Sequence, residues 1–365
     1  MSSMAGFRTR TAVKQEFILS RLRRQIVEGE FPPGSQLPTR QVLGQRFGVS
    51  SATLQRALDQ LIHDGFIYAR GSMGTFVSQR LPFTKNYGLV FPASDIPAHP
   101  WTRFWVALKN EAEKISQSGD SSGYSMPIYL GIEGRADADE YRRLVKHIRD
   151  QRLAGLIFIS PVKSYRGTPL LDAPNLPRVA IASESSDNVP TLRLHGMYEK
   201  AMDRFRDLGC KKLALVTSSS AAATGELQVR WAEGVAARGM AVRSYWMQVL
   251  DVSYPQAARN LVQLLMRGPE EDRPDGLFIG DDNLVEYATA GLIDSGVKVP
   301  AETKVIAHCN FPWPTPSVLP IERLGYDVRE CLRNCVDAID KQRNKEFLAP
   351  IIVPARFESE VRSSQ

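Results

Sequence analysis

TRQVLGQRFGVSSATLQRALDQLI, residues 39–62, decides how the first part of this chain folds. Thr39 is an N-cap for a short helix carrying Val42, Leu43 and Phe47, and Gly48 closes it. Val49-Ser50-Ser51 starts another helix under a serine cap, with Leu54, Ala57, Leu58, Leu61 and Ile62 on its buried face and Asp64-Gly65 at its end. Two short helices around a tight glycine-containing turn make a helix-turn-helix. Upstream, Val13 to Glu28 reads as a helix with Val13, Phe17, Ile18, Leu22 and Ile26 along one face, ended by Gly29 and followed by the turn-rich Phe31 to Pro38. Downstream, Phe66-Ile67-Tyr68-Ala69 and Thr75-Phe76-Val77-Ser78 are β-prone runs around the glycine-rich Arg70-Gly71-Ser72-Met73-Gly74. Helix, helix-turn-helix, hairpin is the order of a winged helix.

Charge sets this segment apart. Residues 1–80 hold eleven Lys and Arg against five Asp and Glu, which accounts for the whole chain's net charge of +6; the other 285 residues are balanced. A basic head on a neutral body points to a polyanion as the head's partner. The 365 residues are enough for two or three units, and the composition is that of ordinary globular proteins. No apolar run approaches the ~20 residues needed to span a bilayer, and Met1 to Arg10 lacks the apolar core of a signal peptide. The expectation is a cytoplasmic protein with no membrane partner. Cys210, Cys309, Cys331 and Cys335 are too few for a disulfide framework, and none is spaced as a zinc or redox pair.

The head resembles the N-terminal domain of the GntR family of bacterial transcription regulators. The resemblance is carried by Pro33-Gly34-x-x-Leu37-Pro38-Thr39, Leu43, Phe47-Gly48-Val49-Ser50, Thr53-Leu54, Arg56-Ala57-Leu58-x-x-Leu61, Gly65-Phe66-Ile67 and Gly74-Thr75-Phe76-Val77. It implies that the third helix enters the major groove of operator DNA and the wing tip reaches the neighbouring minor groove. The DNA-contact candidates are Arg40, Gln41, Ser50, Ser51, Ala52, Thr53, Gln55 and Arg56, with Arg70, Ser72, Gly74 and Thr75 at the wing. The family usually has arginine where this chain has Gln41, Ser51 and Gln55. Arginine reads guanine edges and glutamine prefers adenine, so the operator should differ from the common family site.

Gln79 to Asn86, with Pro82, reads as a connection, which gives a head at 1–80, a linker at 81–86 and a body at 87–365. In the body, strand-like runs (Tyr87-Phe91, Tyr124-Leu130, Leu156-Ile159, Val179-Ala182, Leu213-Thr217, Tyr245-Leu250, Leu277-Ile279, Val305-His308) alternate with helical patterns. These are Thr102-Gln117, Asp137-Asp150, Met197-Leu208, Glu226-Ala237, Pro255-Arg267, Asn283-Asp294 and Val328-Lys341. Such alternation predicts parallel sheets covered by helices on both faces, and the length favours two lobes over one sheet. The fold class is therefore α/β, a winged helix-turn-helix followed by a two-lobed parallel-sheet domain.

The body resembles the ligand-binding domain of the LacI family and the periplasmic sugar-binding proteins. The matching pieces are Tyr87-Gly88-Leu89-Val90-Phe91-Pro92 with Phe104-Trp105, Leu153-Ala154-Gly155-Leu156-Ile157, Leu208 to Ala214, Arg230-x-x-x-Gly234, Gly276-Leu277-Phe278-Ile279-Gly280-Asp281-Asp282 and Val297-x-Val299-Pro300. The implied cleft takes a polyol, whose hydroxyls need charged groups that bond two at once and whose C–H faces need aromatic platforms. Arg230 and Asp282 are the candidates from the second lobe, Asp95, Trp101, Phe104 and Trp105 from the first, and Asn310 and Trp313 lie beyond the strand at Val305. The chain departs from the family at Ser183-Glu184, at Arg193-Leu194-His195 and at Cys309-Asn310, which bears on the identity of the ligand.

Enzyme readings fare poorly. Gly119-Asp120-Ser121-Ser122-Gly123 fits G-x-S-x-G but falls between a helix and a strand, not on a strand-to-helix elbow. Phosphate-cradling glycine motifs and H-x-x-x-H are absent, and Cys331 and Cys335 read as a packed stripe, so no cofactor or metal is expected. An aminotransferase-like body would be longer, and the helical or short α+β bodies of other GntR regulators would leave nearly half of this one over. The expectation is a ligand-responsive transcription regulator, a repressor working as a homodimer, with a sugar or related small polar molecule as effector. Its alternatives are a non-sugar effector and a small-molecule-binding protein without sequence-specific DNA reading.

Overall fold

The computed structural model describes residues 3–93, 102–117, 123–133, 138–182, 188–219 and 226–363. The head begins with α1 (Ser3–Val27), α2 (Arg40–Phe47) and α3 (Ser51–His63), and ends in the antiparallel pair β1 (Ile67–Ala69) and β2 (Thr75–Val77). Its core gathers Ile18, Leu19, Leu22 and Ile26 of α1, Leu43 of α2, Leu54, Ala57, Leu58 and Leu61 of α3, and Phe66 and Val77. The expected apolar stripe on α1 holds only from Ile18 onward. Val13 and Phe17 are 69% and 57% exposed, because α2 and α3 cover only the later turns of a helix that starts ten residues earlier than its periodicity predicts. Ile62 likewise turns outward at the last turn of α3.

Where a linker was expected, Pro82 opens the short helix α4 (Pro82–Lys85), a position that suits a residue without an N–H. Leu81 is buried in the head core, and Phe83 stands 6.3 Å from Phe66, ring to ring. The chain then enters lobe 1 through β3 (Tyr87–Val90), α5 (Arg103–Gln117), β4 (Ile128–Tyr129), α6 (Asp139–Arg149), β5 (Gly155–Phe158), α7 (Pro169–Asp172), β6 (Arg178–Ile181) and β7 (Thr191–His195). Lobe 2 follows with α8 (Met197–Asp207), β8 (Leu213–Ser218), α9 (Glu226–Ala237), β9 (Met247–Leu250), α10 (Gln256–Leu265), β10 (Gly276–Ile279), α11 (Val285–Ser295), β11 (Lys304–Phe311) and β12 (Glu322–Asp327). α12 (Val328–Arg343) and β13 (Ile351–Pro354) return to lobe 1, and β14 (Arg356–Phe357) and α13 (Glu358–Ser363) to lobe 2.

The two sheets run in the orders β13-β7-β6-β5-β3-β4 and β14-β12-β11-β10-β8-β9, all parallel except β14 against β12. β3, β5, β8 and β10 are buried along their whole length, which is why they read as unbroken apolar runs. α12 is anchored to lobe 1 by Tyr87 Oη donating to Asp340 at 2.7 Å and by Gln342 Nε2 donating to the Arg178 carbonyl at 2.9 Å.

Four strands were missed. β7 (TLRLH) and β12 (ERLGYD) carry charges that mask their periodicity, and β13 and β14 are short edge strands. Gly325 in β12 allows close approach: a Cβ there would fall 1.7 Å from the Cys309 carbonyl oxygen. The run at Tyr124 pairs as a strand only over Ile128–Tyr129, and the run at Tyr245 opens with a 3-10 turn before β9. No helix among the described residues is long and apolar enough to cross a membrane. The four cysteines are buried and unbridged. The Gly119 to Ser122 part of the hydrolase-like motif lies outside the described residues.

Candidate nucleic-acid interface and effector cleft

The head's geometry starts from its caps. Thr39 Oγ1 accepts from the Val42 amide at 3.4 Å at the start of α2, and Gly48 ends it at φ +60°, a left-handed conformation that costs glycine little. Ser50 Oγ accepts from the Thr53 amide at 3.4 Å at the start of α3 and lies 3.0 Å from the Thr53 hydroxyl. Thr53 is only 7% exposed, so of the expected DNA contacts it is turned to holding the cap. Arg40, Gln41, Ser51, Ala52 and Arg56 are exposed and Gln55 is half-buried, its amide donating to Asp59 at 2.6 Å.

At the wing, Tyr68 and Phe76 stack at 5.9 Å and Arg70 lies over both rings at 5.4 Å. Ser72 sits in a 3-10 turn between the strands, and Gly74 and Thr75 lead back into β2. Gln36 Nε2 donates to the Met73 carbonyl at 2.7 Å and so pins the wing tip to the connector before α2. The result is a helix surface and a stiffened hairpin, the two pieces a winged helix presents to a duplex.

The second site lies at the carboxyl edge of the lobe 2 sheet, where parallel α/β folds place ligands. Asp282, just past β10, is 2% exposed; it accepts from Asn310 Nδ2 at 2.6 Å and faces His308 Nδ1 at 3.9 Å. Burial pushes its carboxyl above the ordinary value of 3.8, with His308 the largest opposing influence. Its neighbour Asp281 caps the following turn, accepting from the Asn283 amide at 2.9 Å and from its side chain at 2.7 Å. Among the described residues nothing pairs with His308 Nε2 or Asn310 Oδ1, although both atoms are buried. Tyr198, at the start of α8, and Thr217, at the end of β8, lie 3.3 Å apart beside Gly280.

Lobe 1 meets this edge through α5. The Arg103 amide donates to Asn283 Oδ1 at 2.9 Å, and its guanidinium reaches Glu286 at 3.1 Å. Phe104 and Trp105 are half-buried against the lobe 1 core, with Trp105 edge-on to Phe91 at 6.2 Å. Asp282 and Asn310 are thus brought together as a pair. Arg230 is not brought to them: its side chain is 68% exposed and 3.4 Å from Glu199. Trp313 is 44% exposed, its amide donating to the Asn310 carbonyl at 2.8 Å. Asp95, Trp101 and Ser183-Glu184 lie outside the described residues.

Sequence reasoning missed His308 and Arg103 as site residues. The signal for His308 was available, since period-two alternation along β11 puts it on the same face as Asn310. Arg103 gave none, because its role comes from an interlobe contact between segments 180 residues apart.

Comparison with known proteins follows the same division. The model of bacterial regulatory proteins of the gntR family matches residues 14–77, and that of the periplasmic binding protein-like domain matches residues 202–355. The head is similar to the HTH-type transcriptional repressor NagR of Bacillus subtilis, 37% identical over 62 residues, 17% of this chain and 26% of that protein. The chain therefore spans about a quarter of that relative's length. An arabinose metabolism transcriptional repressor of Halalkalibacterium halodurans is 20% identical over 93% of both chains. Among solved structures, a regulatory protein of LacI family from Chloroflexus aggregans aligns with a TM-score of 0.58 at 15% identity, covering 76% of this chain and 97% of that one.

Proposed function

We propose that this chain, a GntR-type winged helix joined to a periplasmic binding protein-like body, is a ligand-responsive transcription repressor that binds operator DNA as a homodimer. The observation that carries the reading is the union in one chain of a capped helix-turn-helix with an exposed reading face and a two-lobed body with a buried carboxylate–amide–imidazole cluster at its sheet edge. The likeness to an arabinose metabolism repressor over 93% of both chains supports it. The relatives named are regulators, in keeping with a body that binds and does not catalyse.

Arg40, Gln41, Ser50, Ser51, Ala52, Gln55 and Arg56 face the major groove in this reading, and Arg70, Ser72, Gly74 and Thr75 the flanking backbone and minor groove. Phosphate contacts position the head, and Gln55 with its neighbours specifies sequence. The effector is a sugar or similar polyol. Its hydroxyls complete the hydrogen bonding of Asp282, His308 and Asn310, while Trp313 and the first-lobe aromatics Phe104 and Trp105 offer apolar faces to its C–H groups. Such a ligand acts by favouring one relative orientation of the lobes, and operator affinity changes only by its differential affinity for the two.

Selection of sites from a random DNA library with the full chain, with and without a mixture of common sugars, tests this. An inverted repeat whose recovery changes with the mixture is the expected result. Recovery of no sequence motif would overturn DNA reading, and a motif unmoved by any sugar would overturn the sugar assignment alone.

A further inference from the structure

Three arginines stand close together on α1. Arg21 and Arg24 face solvent, whereas Arg23 is 5% exposed. Its guanidinium meets Asp64 at 2.5 Å and Asp150 at 3.2 Å. Asp64 is the C-cap of α3, the helix that reads DNA, and Asp150 is the C-cap of α6 in lobe 1. Arg152 reaches back from lobe 1 to Asp64 at 3.5 Å. Two arginines and two aspartates thus alternate across the junction between head and body, with side-chain exposures of 6%, 1% and 6% for Arg23, Asp64 and Asp150 and 24% for Arg152.

The surroundings complete the cluster. Gln60 donates to Asp64 at 2.8 Å, Asn86 holds the Arg152 carbonyl at 3.1 Å, and Arg23 lies 5.7 Å from the Phe66 ring centre. Each helix C-terminus carries partial negative charge, so one guanidinium placed between two of them is favoured by both. Beside the cluster a crevice of about 400 Å³, lined by Val27, Phe83, Ile148 and Leu153 together with Arg149 and Arg343, separates head, linker and lobe 1. The junction is therefore held by charge more than by apolar packing. Buried ion pairs of this kind add little net stability against apolar replacements, but removing one partner leaves a costly unpaired charge.

α6 runs from the carboxyl edge of the lobe 1 sheet, after β4, to its amino edge, before β5. Its last residues thus lie at the edge of lobe 1 opposite the cleft, and they are where Arg23 is held. We propose that the Arg23–Asp64–Asp150–Arg152 cluster fixes α3 to lobe 1, so that the reading helix turns with that lobe when the lobes reorient. This rests on the regulator reading above for its purpose, but not for its physical test.

The test uses the full chain with Asp150→Asn and, as the milder change at the more exposed position, Arg152→Gln. Trypsin cleavage at Arg80 and Lys85 reports how often the head separates from lobe 1, and both variants are expected to release it about tenfold faster than wild type. On the selected operator, wild type should lose affinity steeply when the half-sites are moved apart by about two or four base pairs, and the variants should tolerate the change. Wild-type cleavage rates in Arg152→Gln, or an unchanged spacing dependence in a variant that still binds the operator, would overturn the proposal. Failure of wild type to bind any specific DNA would instead remove the regulator reading and leave cleavage to judge the cluster.

Discussion

Gln55 and Arg56 are neighbours on one helix and meet solvent, whereas Asp282, His308 and Asn310 come from the ends of two strands and are largely buried. In the head, recognition and stability occupy opposite sides of the same helix: Leu54 and Leu58 face the core while Gln55 and Arg56 do not. In the proposed cleft the same atoms serve both purposes, since Asp282 is part of the lobe 2 interior and, in the reading proposed above, also the carboxylate offered to a ligand. A helix surface can therefore change its reading without unfolding, but the cleft cannot change its ligand chemistry without disturbing its own packing.

The largest expected effect breaks the head while sparing the body. Leu58→Ala removes a 2%-exposed side chain from a small core and should cost about 2–5 kcal/mol, a large share of what a domain of that size has. Operator binding should vanish while the body keeps its own thermal transition and its effector binding. Loss of both transitions together would show head and body to be one cooperative unit and erase the contrast.

Next is Asp282. Asp282→Ala leaves the Asn310 amide without its 2.6 Å acceptor in a buried site, an expected cost of about 1–3 kcal/mol. Operator affinity should stay as it was while the effector response is lost; an intact response would remove Asp282 from the cleft. Asp282→Asn separates charge from shape. Because burial raises the Asp282 pKa above its ordinary 3.8, the group's stabilising contribution is complete below that value and is lost as pH rises through the folded value. Thermal unfolding of wild type and Asp282→Asn across acid to neutral pH should therefore diverge upward from about 4, with the Asn variant gaining in relative stability.

Gln55→Ala is the corresponding change on the head, with no buried partner to orphan. The fold should be indifferent to it. Base preference should relax at one position of each half-site by about 1–3 kcal/mol of discrimination, read from repeated site selection. Unchanged preference would take Gln55 off the reading surface.

This contrast also governs how much was legible in the sequence. Caps at Thr39 and Ser50, the turn at Gly48 and the wing's glycines act over three or four residues, so local chemistry revealed the head almost whole. The exceptions are Val13 and Phe17, on turns of α1 that the core does not reach, and Ile62, in the last turn of α3, and where the core runs out is a tertiary fact. In the body the buried strands announced themselves as apolar runs, while β7 and β12 did not because their sequences mix charge with apolar residues. Asp282 was legible as the end of a strand. Its partners were only partly so: Asn310 was named, His308 was passed over although it alternates with Asn310 along β11, and Arg230 was assigned to the cleft although the fold leaves it on the surface beside Glu199.

The smallest expected effect is the finest test of the head. Arg70 is exposed, yet its guanidinium spans the Tyr68 and Phe76 rings at 5.4 Å from each, an arrangement worth about 0.5–1 kcal/mol at exposed sites. If it also touches a phosphate, Arg70→Ala should weaken binding to all sequences alike and lower the salt slope by about one. Arg70→Lys keeps the charge without the planar stacking, so the slope should recover while the wing loses its clamp. A shift in base preference beside the half-sites in either variant would mean that the wing senses minor-groove shape, making it a second reading surface. No change in slope would leave Arg70 as the bracket of its two aromatic neighbours, and would confine DNA contact to the two helices.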